Sequence, residues 1–517
     1  MMKKLICVLV YSCGAFLFQK AFADVKLPAL FGDHMVLQQD TVVKLWGWAN
    51  PNEKIEILPS WQQKAIKISA NADGEWTASL KTLKADLKPY SITFKATNQI
   101  TIDDILFGEV WICGGQSNMS FPIKGTPGHY SGLKNADEVL KEANHPKLRF
   151  ITVERKVANE PQQDTKGEWL VCTPETASGD ISAVSYFFAL QLIEKTGFPV
   201  GLIGANWGGT PAEAWTSKKV LEDNADFKPI LTDYDKTVAN WASISETYRS
   251  KYKAYQFQDS VAKANKTARP SRPVEPIGPN SNKSPYKLYN GIIKPLQPFT
   301  IKGVIWYQGE NNATRAYQYK ALFPAMMKNW RNDWNNEKLP FYFVQISPHR
   351  SQNPEIREAQ RLVFLNDAFT GMVVTTDNGD ALDIHPRNKK LVGDRLSLWA
   401  LKKQYGFKDI VASGPMYQTY KIEGNKIRLY FTDLADGLVA KNGDLKEFTI
   451  AGADEKFYPA EAKIDGNTIV VESPEVAAPK AVRFAWKNVP YPNLFNSTGL
   501  PASPFKTDDW KWETEGL

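Results

Sequence analysis

The stretch that decides the fold is Val110-Trp111-Ile112-Cys113-Gly114-Gly115-Gln116-Ser117-Asn118-Met119. Its apolar beginning is typical of a buried strand, and the two glycines that follow let the chain reverse tightly. A serine on such a turn can present its hydroxyl as a nucleophile, but serine is also an ordinary turn residue. The stretch therefore predicts a strand that ends in a polar turn. The role of Ser117 depends on what the rest of the chain brings to the same place.

Similar apolar runs alternate with helical patterns along the middle of the chain. The predicted strands are 109–113, 200–205, 302–307, 340–346 and 371–376, and the predicted helices are 182–195, 319–334, 354–369 and 388–404. Apolar strands that alternate with helices favour a parallel sheet covered by helices on both faces. We therefore predict a doubly wound α/β domain over residues 106–411.

Short alternating runs separated by turn residues flank this domain on both sides. Their positions are 42–48, 54–58, 76–80 and 90–96 before it, and 426–431, 447–450, 468–472 and 481–486 after it. This texture is typical of sandwich or jelly-roll modules. It predicts an N-terminal β domain over residues 24–105 and a C-terminal β domain over residues 412–517.

A polar, partly helical segment at about 216–288 interrupts the α/β domain. It ends in an irregular tail that contains Ala268-Arg269-Pro270-Ser271-Arg272-Pro273. Insertions of this kind form lids or cleft walls in some proteins and surface elaborations in others. The sequence leaves both interpretations open.

Residues 1–23 have the pattern of an export signal. Two lysines precede a largely apolar run, and Ala21-Phe22-Ala23 resembles a cleavage site. The run is shorter than the ~20 apolar residues of a spanning helix, and Tyr11 fits poorly before a lipid-modified Cys13. We predict cleavage after Ala23, a periplasmic or secreted protein, and no membrane span in the mature chain.

Composition and missing motifs argue against several functional classes. The net charge is +7 from 63 basic and 56 acidic residues, without a long basic run, so nucleic-acid binding is not predicted. The five histidines form no HExxH pattern, and no paired CxxC or glycine-rich nucleotide loop occurs. We predict no metal and no cofactor. Cys113 and Cys172 follow the signal, but the sequence does not show whether they meet to form a disulfide.

Polar residues collect directly after the predicted strands of the α/β domain. The segments are 114–118, 206–210, 308–312, 347–350 and 377–386. Open parallel sheets bind ligands beyond the carboxyl ends of their strands, so these segments are expected to share one crevice. They contain the groups that acyl transfer needs: Ser117 as nucleophile, His385 as general base and a nearby aspartate to orient the imidazole.

The same segments offer hydrogen-bond donors for a developing oxyanion. The candidates are the backbone N–H groups of Ser117 and of Gly208 or Gly209, and a side-chain amide of Gln308 or Asn312. Loss of one such donor raises a barrier by roughly 3 to 4 kcal/mol. A pair of carboxylates for glycoside cleavage is the alternative enzyme chemistry, because Glu213, Glu310 and several aspartates lie near these segments.

Blocks of sequence resemble the sialate O-acetylesterases of the SGNH (GDSL-like) hydrolase superfamily. They are LFGDHMVLQ at 31–39, FGEVWICGGQSNM at 107–119, SAVSYFFA at 182–189, GLIGANWGGTPAEAW at 201–215, GVIWYQGENN at 303–312, DIHPRNK at 383–389 and GLPASPFKTDDW at 499–510. The blocks span nearly the whole mature chain. The resemblance implies a flavodoxin-like catalytic domain, without metal or organic cofactor, that releases acetate from O-acetylated sialic acid or sialoglycan, with the 9-O-acetyl ester preferred.

Carried over residue by residue, the resemblance makes Ser117 the nucleophile and His385 the base. The usual acid of the superfamily lies three residues before the histidine, where this chain has Leu382. Asp383 is the first choice for the orienting acid, and Asp380 and Asp377 come after it. A dyad of serine and histidine supported by a backbone carbonyl is the other arrangement.

The sequence says less about which substrate is bound than about which reaction is catalysed. Gln116 and Glu310 are expected near the substrate, and the carboxylate of a sialic acid calls for a cation, for which Arg387, Arg357 and Arg350 lie on suitable loops. An acetylated xylan or another acetylated glycan suits the same chemistry. A glycan-binding surface protein without activity is the competing class. The oligomeric state is not predicted.

Overall fold

A computed structural model of the protein describes residues 24–516. The predicted export signal and its cleavage site at Ala23 lie outside the described residues. Among the residues described, no helix combines the length and the apolar character needed to cross a membrane.

The N-terminal region consists of short strands, and all but the first of them pair antiparallel. They are β1 (Val36–Gln38), β2 (Val42–Trp48), β3 (Lys54–Pro59), β4 (Ile66–Ser69), β5 (Glu75–Lys81) and β6 (Tyr90–Lys95). In β5 every second residue is buried, because Trp76, Ala78 and Leu80 face a core while their neighbours face solvent. Strand β2 pairs with β5, and β3 pairs with both β4 and β6. The four strands predicted in this region are confirmed.

Strand β7 (Gln99–Gly115) joins this region to the α/β domain. Its first part pairs antiparallel with β6, and its last residues enter a parallel sheet. All residues from 105 to 115 are buried, as expected for a strand covered on both faces. The predicted domain boundary after residue 105 therefore falls inside one continuous strand.

The central sheet is built mainly from parallel strands. After β7 these are β8 (His145–Thr152), β9 (Leu170–Cys172), β10 (Val200–Asn206), β11 (Gly303–Tyr307), β12 (Phe341–Val344) and β13 (Thr370–Val373). Their order in the sheet is β13-β12-β11-β7-β10-β8-β9, and only β9 is antiparallel to its neighbour. The five predicted strands are all present as β7, β10, β11, β12 and β13. They lie side by side in the order β10-β7-β11-β12-β13. Sequence analysis missed β8 and β9, which extend one edge.

Ten α-helices accompany the strands in the part of the chain described. They are α1 (Ser117–Ser120), α2 (Ala136–Lys141), α3 (Pro174–Ala177), α4 (Ala183–Thr196), α5 (Lys218–Asp223), α6 (Lys228–Ala239), α7 (Trp241–Asn265), α8 (Ala316–Asp333), α9 (Pro354–Leu365) and α10 (Lys389–Gln404). Short 3-10 or π turns occupy Ala212–Trp215, Ala225–Phe227, Tyr289–Ile293, Lys294–Leu296 and Glu310–Arg315. The four predicted helices correspond to α4, α8, α9 and α10. The insertion contributes α5, α6 and α7.

Alternate residues of β7 face two different hydrophobic cores. Trp111 and Cys113 belong to a core with residues of α4 and α10, whereas Val110 and Ile112 belong to a core with residues of α8 and α9. The sheet is thus covered by helices on both faces, as predicted. Because β8 and β10 lie on one side of β7 and β11 to β13 lie on the other, the chain leaves a crevice at the carboxyl end of β7.

The C-terminal region is again made of short strands. They are β14 (Met416–Glu423), β15 (Lys426–Thr432), β16 (Leu438–Ala440), β17 (Phe448–Ala451), β18 (Phe457–Pro459), β19 (Glu461–Asp465), β20 (Thr468–Glu472), β21 (Ala481–Phe484), β22 (Leu494–Asn496) and β23 (Phe505–Lys506). Two four-stranded sheets, β14-β15-β20-β19 and β18-β17-β21-β23, share one hydrophobic core. This arrangement fits the predicted sandwich.

The two cysteines that follow the signal do not pair. Cys113 in β7 and Cys172 in β9 are both free and buried. Burial raises the pKa of both thiols, that of Cys172 to about 12, so neither forms a thiolate readily near neutral pH.

The close packing of β7 against β11 predicts the effect of Gly114→Ala. A Cβ atom at Gly114 would lie 2.7 Å from the ring of Trp306, which is fully buried. We expect the variant to lose about 1–3 kcal/mol of unfolding free energy in urea, measured by circular dichroism. Gly32→Ala is the control, because no atom lies within 4 Å of its Cβ position. Equal stability of the two variants would contradict the packing described for this strand.

Candidate active site

Ser117 follows a turn that is fixed to both neighbouring strands. Gly115 has a φ of +133°, and a Cβ atom there would lie 2.2 Å from the carbonyl oxygen of Tyr307, so only glycine fits. The Gln116 N–H donates to that carbonyl at 2.9 Å, and the Trp207 N–H donates to the Gly115 carbonyl at 3.0 Å. Ser117 then begins α1 and is partly exposed. The hydroxyl is therefore held at the mouth of the crevice.

Gly208 stands directly against Ser117. A Cβ atom at Gly208 would lie 3.3 Å from the Cβ of Ser117 and 3.2 Å from the hydroxyl of Tyr130. Within the described residues, the backbone N–H groups of Ser117, Gly208 and Gly209 donate to no other protein group. A site next to a serine hydroxyl with unused N–H donors can stabilise an oxyanion.

His385 lies on the other side of Tyr130. The two rings are 5.5 Å apart between centroids, and the ring of Phe121 is 6.4 Å from that of His385. Ser117, Gly208, Tyr130 and His385 thus follow one another around the crevice. The loop after β13 reaches the end of β7 as the strand-end argument predicts.

The side chain of Asn118 joins the serine turn to the histidine loop. Its Nδ2 group donates to the Ile384 carbonyl at 3.1 Å and to Glu310 Oε1 at 2.6 Å, and its Oδ1 accepts from Lys389 Nζ at 2.5 Å. Asn118 is fully buried, so these bonds replace water for every polar atom of its amide. The residue after Ser117 is therefore bonded to the residue before His385.

Burial pushes both ionisable partners of Asn118 towards their neutral forms. It lowers the pKa of Lys389 to about 7 and raises the pKa of Glu310, whose Oε2 has no hydrogen-bond partner. Lys389 also lies over the rings of Phe121 and Tyr307 at 4.7 and 5.4 Å. The ammonium is thus held by an amide and two aromatic faces.

The pKa of His385 lies below its ordinary value. Burial is the largest cause and the charge of Lys389 acts in the same direction, while the charge of Asp383 opposes them. A lowered pKa keeps the imidazole neutral at and below neutral pH. This is the form that a general base needs.

No carboxylate within the described residues accepts a hydrogen bond from the His385 ring. Asp383 Oδ1 accepts from the backbone N–H of His385 at 2.8 Å and lies 3.9 Å from its Nδ1, which is too long for a hydrogen bond. Asp380 accepts from two backbone N–H groups of its own turn, and Asp377 is paired with Arg395 through two contacts of 2.7 Å. Of the three aspartates, only Asp383 is next to the imidazole.

The amides of Gln308 and Asn312 are engaged away from the serine. Gln308 Nε2 donates to the Thr210 carbonyl at 3.3 Å and to Asn312 Oδ1 at 2.7 Å, which uses both of its hydrogens. Asn312 Nδ2 donates to Glu213 Oε2 at 2.9 Å, and both amides are buried. These side chains brace the strand-end loops, and Gln308 has no hydrogen left to donate to an oxyanion.

The carboxylates that would serve glycoside cleavage also have structural partners. Glu213 accepts hydrogen bonds from Arg315 and Asn312 in a buried cluster. Glu310 accepts from Asn118 beneath the serine turn and is buried as well. Glu310 thus supports the serine turn through Oε1, and its role as a substrate contact stays a prediction. The geometry gives no exposed pair formed by these two glutamates.

The chain is similar to known carbohydrate esterases over most of its length. A family model described as carbohydrate esterase, sialic acid-specific acetylesterase matches residues 280–400, which include His385. Sialate O-acetylesterases of Rattus norvegicus and Homo sapiens are 28% and 26% identical over 93% of this chain and 94% and 92% of their own. The crystal structure of a carbohydrate acetylesterase from Xanthomonas citri is 34% identical, with a TM-score of 0.78 over 94% of this chain and 100% of that one. The chain belongs to the sialate O-acetylesterase family.

This member of the family is an esterase. Two of the arginines that the sequence places near the substrate, Arg387 and Arg357, donate to backbone carbonyls of the protein itself. Arg387 donates to the carbonyls of residues 131–133 and thereby holds the loop that carries Tyr130. Arg357 is fully buried and donates to the Lys487 carbonyl, and burial lowers its pKa to about 10. The Nε and Nη1 groups of Arg357 have no hydrogen-bond partner in their buried surroundings. Arg350 is exposed on the loop after β12.

Arg155 is a cation at the site that sequence analysis missed. It follows the carboxyl end of β8, and its Nε donates to the Asn206 carbonyl at 3.2 Å, two residues before Gly208. Burial raises the pKa of Tyr130, and the charge of Arg155 opposes that rise, which shows that the two groups are close. Arg155 is exposed and has no ion-pair partner among the described residues. Recognition of β8 as a strand would have indicated it.

The electrostatic surroundings of His385 predict the pH dependence of this family member. The acidic limb of kcat/KM should have an apparent pKa below 6.5, because burial and the Lys389 charge disfavour the imidazolium. Lys389→Met removes that charge and should move the limb to higher pH by roughly 0.5 pH unit.

Lys390→Met is the matched control, since Lys390 is a solvent-exposed neighbour paired with Asp394. It should leave the limb in place. A limb unchanged by Lys389→Met, measured with a simple acetyl ester from pH 4.5 to 8, would refute the assigned role of the lysine charge.

Proposed function

We propose that the protein is a serine esterase that hydrolyses O-acetyl esters of sialic acids through Ser117 and His385. The hydrogen bond from Asn118 to the Ile384 carbonyl carries the proposal, because it joins the nucleophile turn directly to the histidine loop. The order of the five predicted parallel strands supports the flavodoxin-like layout of the SGNH superfamily.

The proposed reaction has two steps. Ser117 Oγ attacks the acetyl carbonyl while His385 takes its proton, and the oxyanion accepts hydrogen bonds from the N–H groups of Ser117 and of Gly208 or Gly209. The intermediate collapses, the bond from the acetyl carbon to the sugar oxygen breaks, and His385 returns the proton to that oxygen, which leaves as a hydroxyl group. Water then attacks the acetyl-serine by the same route and acetate leaves.

Asp383 acts in this proposal through its charge. At 3.9 Å from Nδ1 it stabilises the imidazolium that forms during attack, and its hydrogen bond to the His385 N–H fixes the loop. The site is therefore a dyad with an adjacent carboxylate. A movement of about 1 Å on substrate binding would complete a triad of the usual geometry.

Arg155 supports a sialic acid as the substrate. Its exposed guanidinium lies beside the loop that carries Gly208, where it can form a bidentate pair with the carboxylate that sialic acids have and neutral acetylated sugars such as xylan lack. The preference for the 9-O-acetyl ester and export after Ala23 stay predictions. Gln116 stays a candidate substrate contact, because its Oε1 accepts from the Asn311 N–H while its Nε2 has no partner among the described residues.

Replacement of the nucleophile tests the proposed chemistry. Ser117→Ala should lower acetate release from 9-O-acetylated sialic acid at least about a thousandfold, because the oxygen that attacks the acetyl carbonyl is lost. Ser120→Ala is the matched control, since its hydroxyl is bonded to Asn206. Full activity of Ser117→Ala would refute the mechanism. Binding of acetylated glycan by wild-type protein without acetate release would favour the non-enzymatic glycan-binding class.

Replacement of the cation tests the proposed substrate. Arg155→Met should lower the ratio of kcat/KM for 9-O-acetylated sialic acid to that for acetyl-xylan about tenfold or more, because a charged hydrogen-bonding partner of the carboxylate is lost. Arg249→Met, which replaces an exposed arginine paired with Glu246 on α7, should leave the ratio unchanged. A wild-type ratio of one or less, or a ratio unaffected by Arg155→Met, would count against sialic acid as the preferred substrate.

A further inference from the structure

A groove lies between the active-site loop after β10 and the insertion. Trp207, Trp241, Glu275-Pro276 and residues 278–283 line it, and its volume is about 470 Å³. This size falls within the roughly 300–1,000 Å³ of typical ligand sites. We call it the insertion groove.

The insertion groove is continuous with the catalytic centre. Trp207 directly precedes Gly208, the residue that stands against Ser117. From the opposite wall, Asn282 Nδ2 donates to the Gly208 carbonyl at 3.3 Å. The Cε atom of Lys283 lies 4.0 Å from the Cβ position of Gly209. A ligand that fills the groove therefore extends away from the reacting ester.

The wall formed by residues 278–284 is held in place before any ligand binds. The Gly278 carbonyl accepts from the Ser281 N–H at 3.1 Å and from the Ser284 hydroxyl at 2.8 Å. The buried Lys287 donates to the Pro279 carbonyl at 2.6 Å. Gly278 packs on the ring of Trp241, where a Cβ atom would lie 2.3 Å from the ring. A wall that needs no ordering on binding favours affinity.

The lining matches the chemistry of a sugar ring. Two tryptophans offer apolar surface with an N–H group at the edge, and Asn280 and Ser281 offer amide and hydroxyl groups. One lysine and one glutamate balance each other, so the groove is not selective for a charged ligand. Its small volume suits one ring better than a segment of protein.

We propose that the insertion groove binds a neutral pyranose residue that is glycosidically linked to the acetylated sugar. The inference rests on the proposed function and deepens it, because it makes an acetylated oligosaccharide the preferred substrate over the free acetylated monosaccharide. It also gives the insertion the role of a cleft wall, one of the two interpretations that its sequence left open.

The test compares two substrates. One is free 9-O-acetylated sialic acid, and the other is a trisaccharide in which the same acetylated sugar is linked to lactose. The kcat/KM of the full-length mature enzyme should be higher for the trisaccharide. Trp241→Ala should lower the ratio of the two values at least about fivefold. Asn280→Ala, which alters an exposed side chain, should lower it less. Phe257→Ala, an exposed position on the same helix α7, should leave it unchanged.

Calorimetric titration with the unacetylated trisaccharide separates the two claims. Binding that Trp241→Ala weakens, in a protein that releases no acetate, would support the groove and refute the proposed function. The groove assignment would be overturned by equal kcat/KM values for the two acetylated substrates, or by a ratio of these values that both groove variants leave unchanged. Acetate release in the same experiment would still support the proposed esterase. Absence of both binding and acetate release would overturn both.

Discussion

The amide of Asn118 is the contact on which the active site depends. One buried side chain binds the loop of His385 through the Ile384 carbonyl, the end of β11 through Glu310 and the start of α10 through Lys389. Its own backbone continues from the serine. Because both ionisable partners are buried, loss of the amide would remove a hydrogen bond from each of them, and leaving a buried polar group unsatisfied costs about 1–3 kcal/mol. The bridge thus helps to fix the proposed nucleophile, Ser117, relative to the proposed base, His385.

The β regions support the sheet that carries the bridge. Strand β7 begins in the N-terminal region and ends at Gly115, two residues before Ser117, so the proposed nucleophile is covalently continuous with that region. The C-terminal region contacts the opposite half of the sheet, where Ser503 accepts from Gln345 at the end of β12 and Thr514 donates to Glu355 at the start of α9. Both regions thus stiffen the strand ends from which the site is built. Rigid supports of this kind hold catalytic groups in productive geometry.

Much of the fold follows from the sequence, because buried parallel strands and amphipathic helices have different apolar periods. Strand β8 was missed, since it begins with the polar stretch His145-Pro146-Lys147, and Arg155 was missed with it. Strand-end placement was enough to select Ser117, Gly208 and His385. It could not show that the Gln308 amide points into the protein, because side-chain direction after a strand depends on tertiary partners. For the same reason the sequence could not show how Asp383 acts, because that depends on the distance of 3.9 Å between its Oδ1 and Nδ1 of His385.

The central claim is that Ser117 is a nucleophile activated by His385. Labelling with a fluorophosphonate, followed by mass spectrometry of the digested protein, tests it most directly. The account predicts one modified serine, Ser117, with a rate that rises as the imidazole loses its proton below pH 6.5, and labelling at least about a hundredfold slower in His385→Ala. Modification of another serine, or undiminished labelling of His385→Ala, would contradict it.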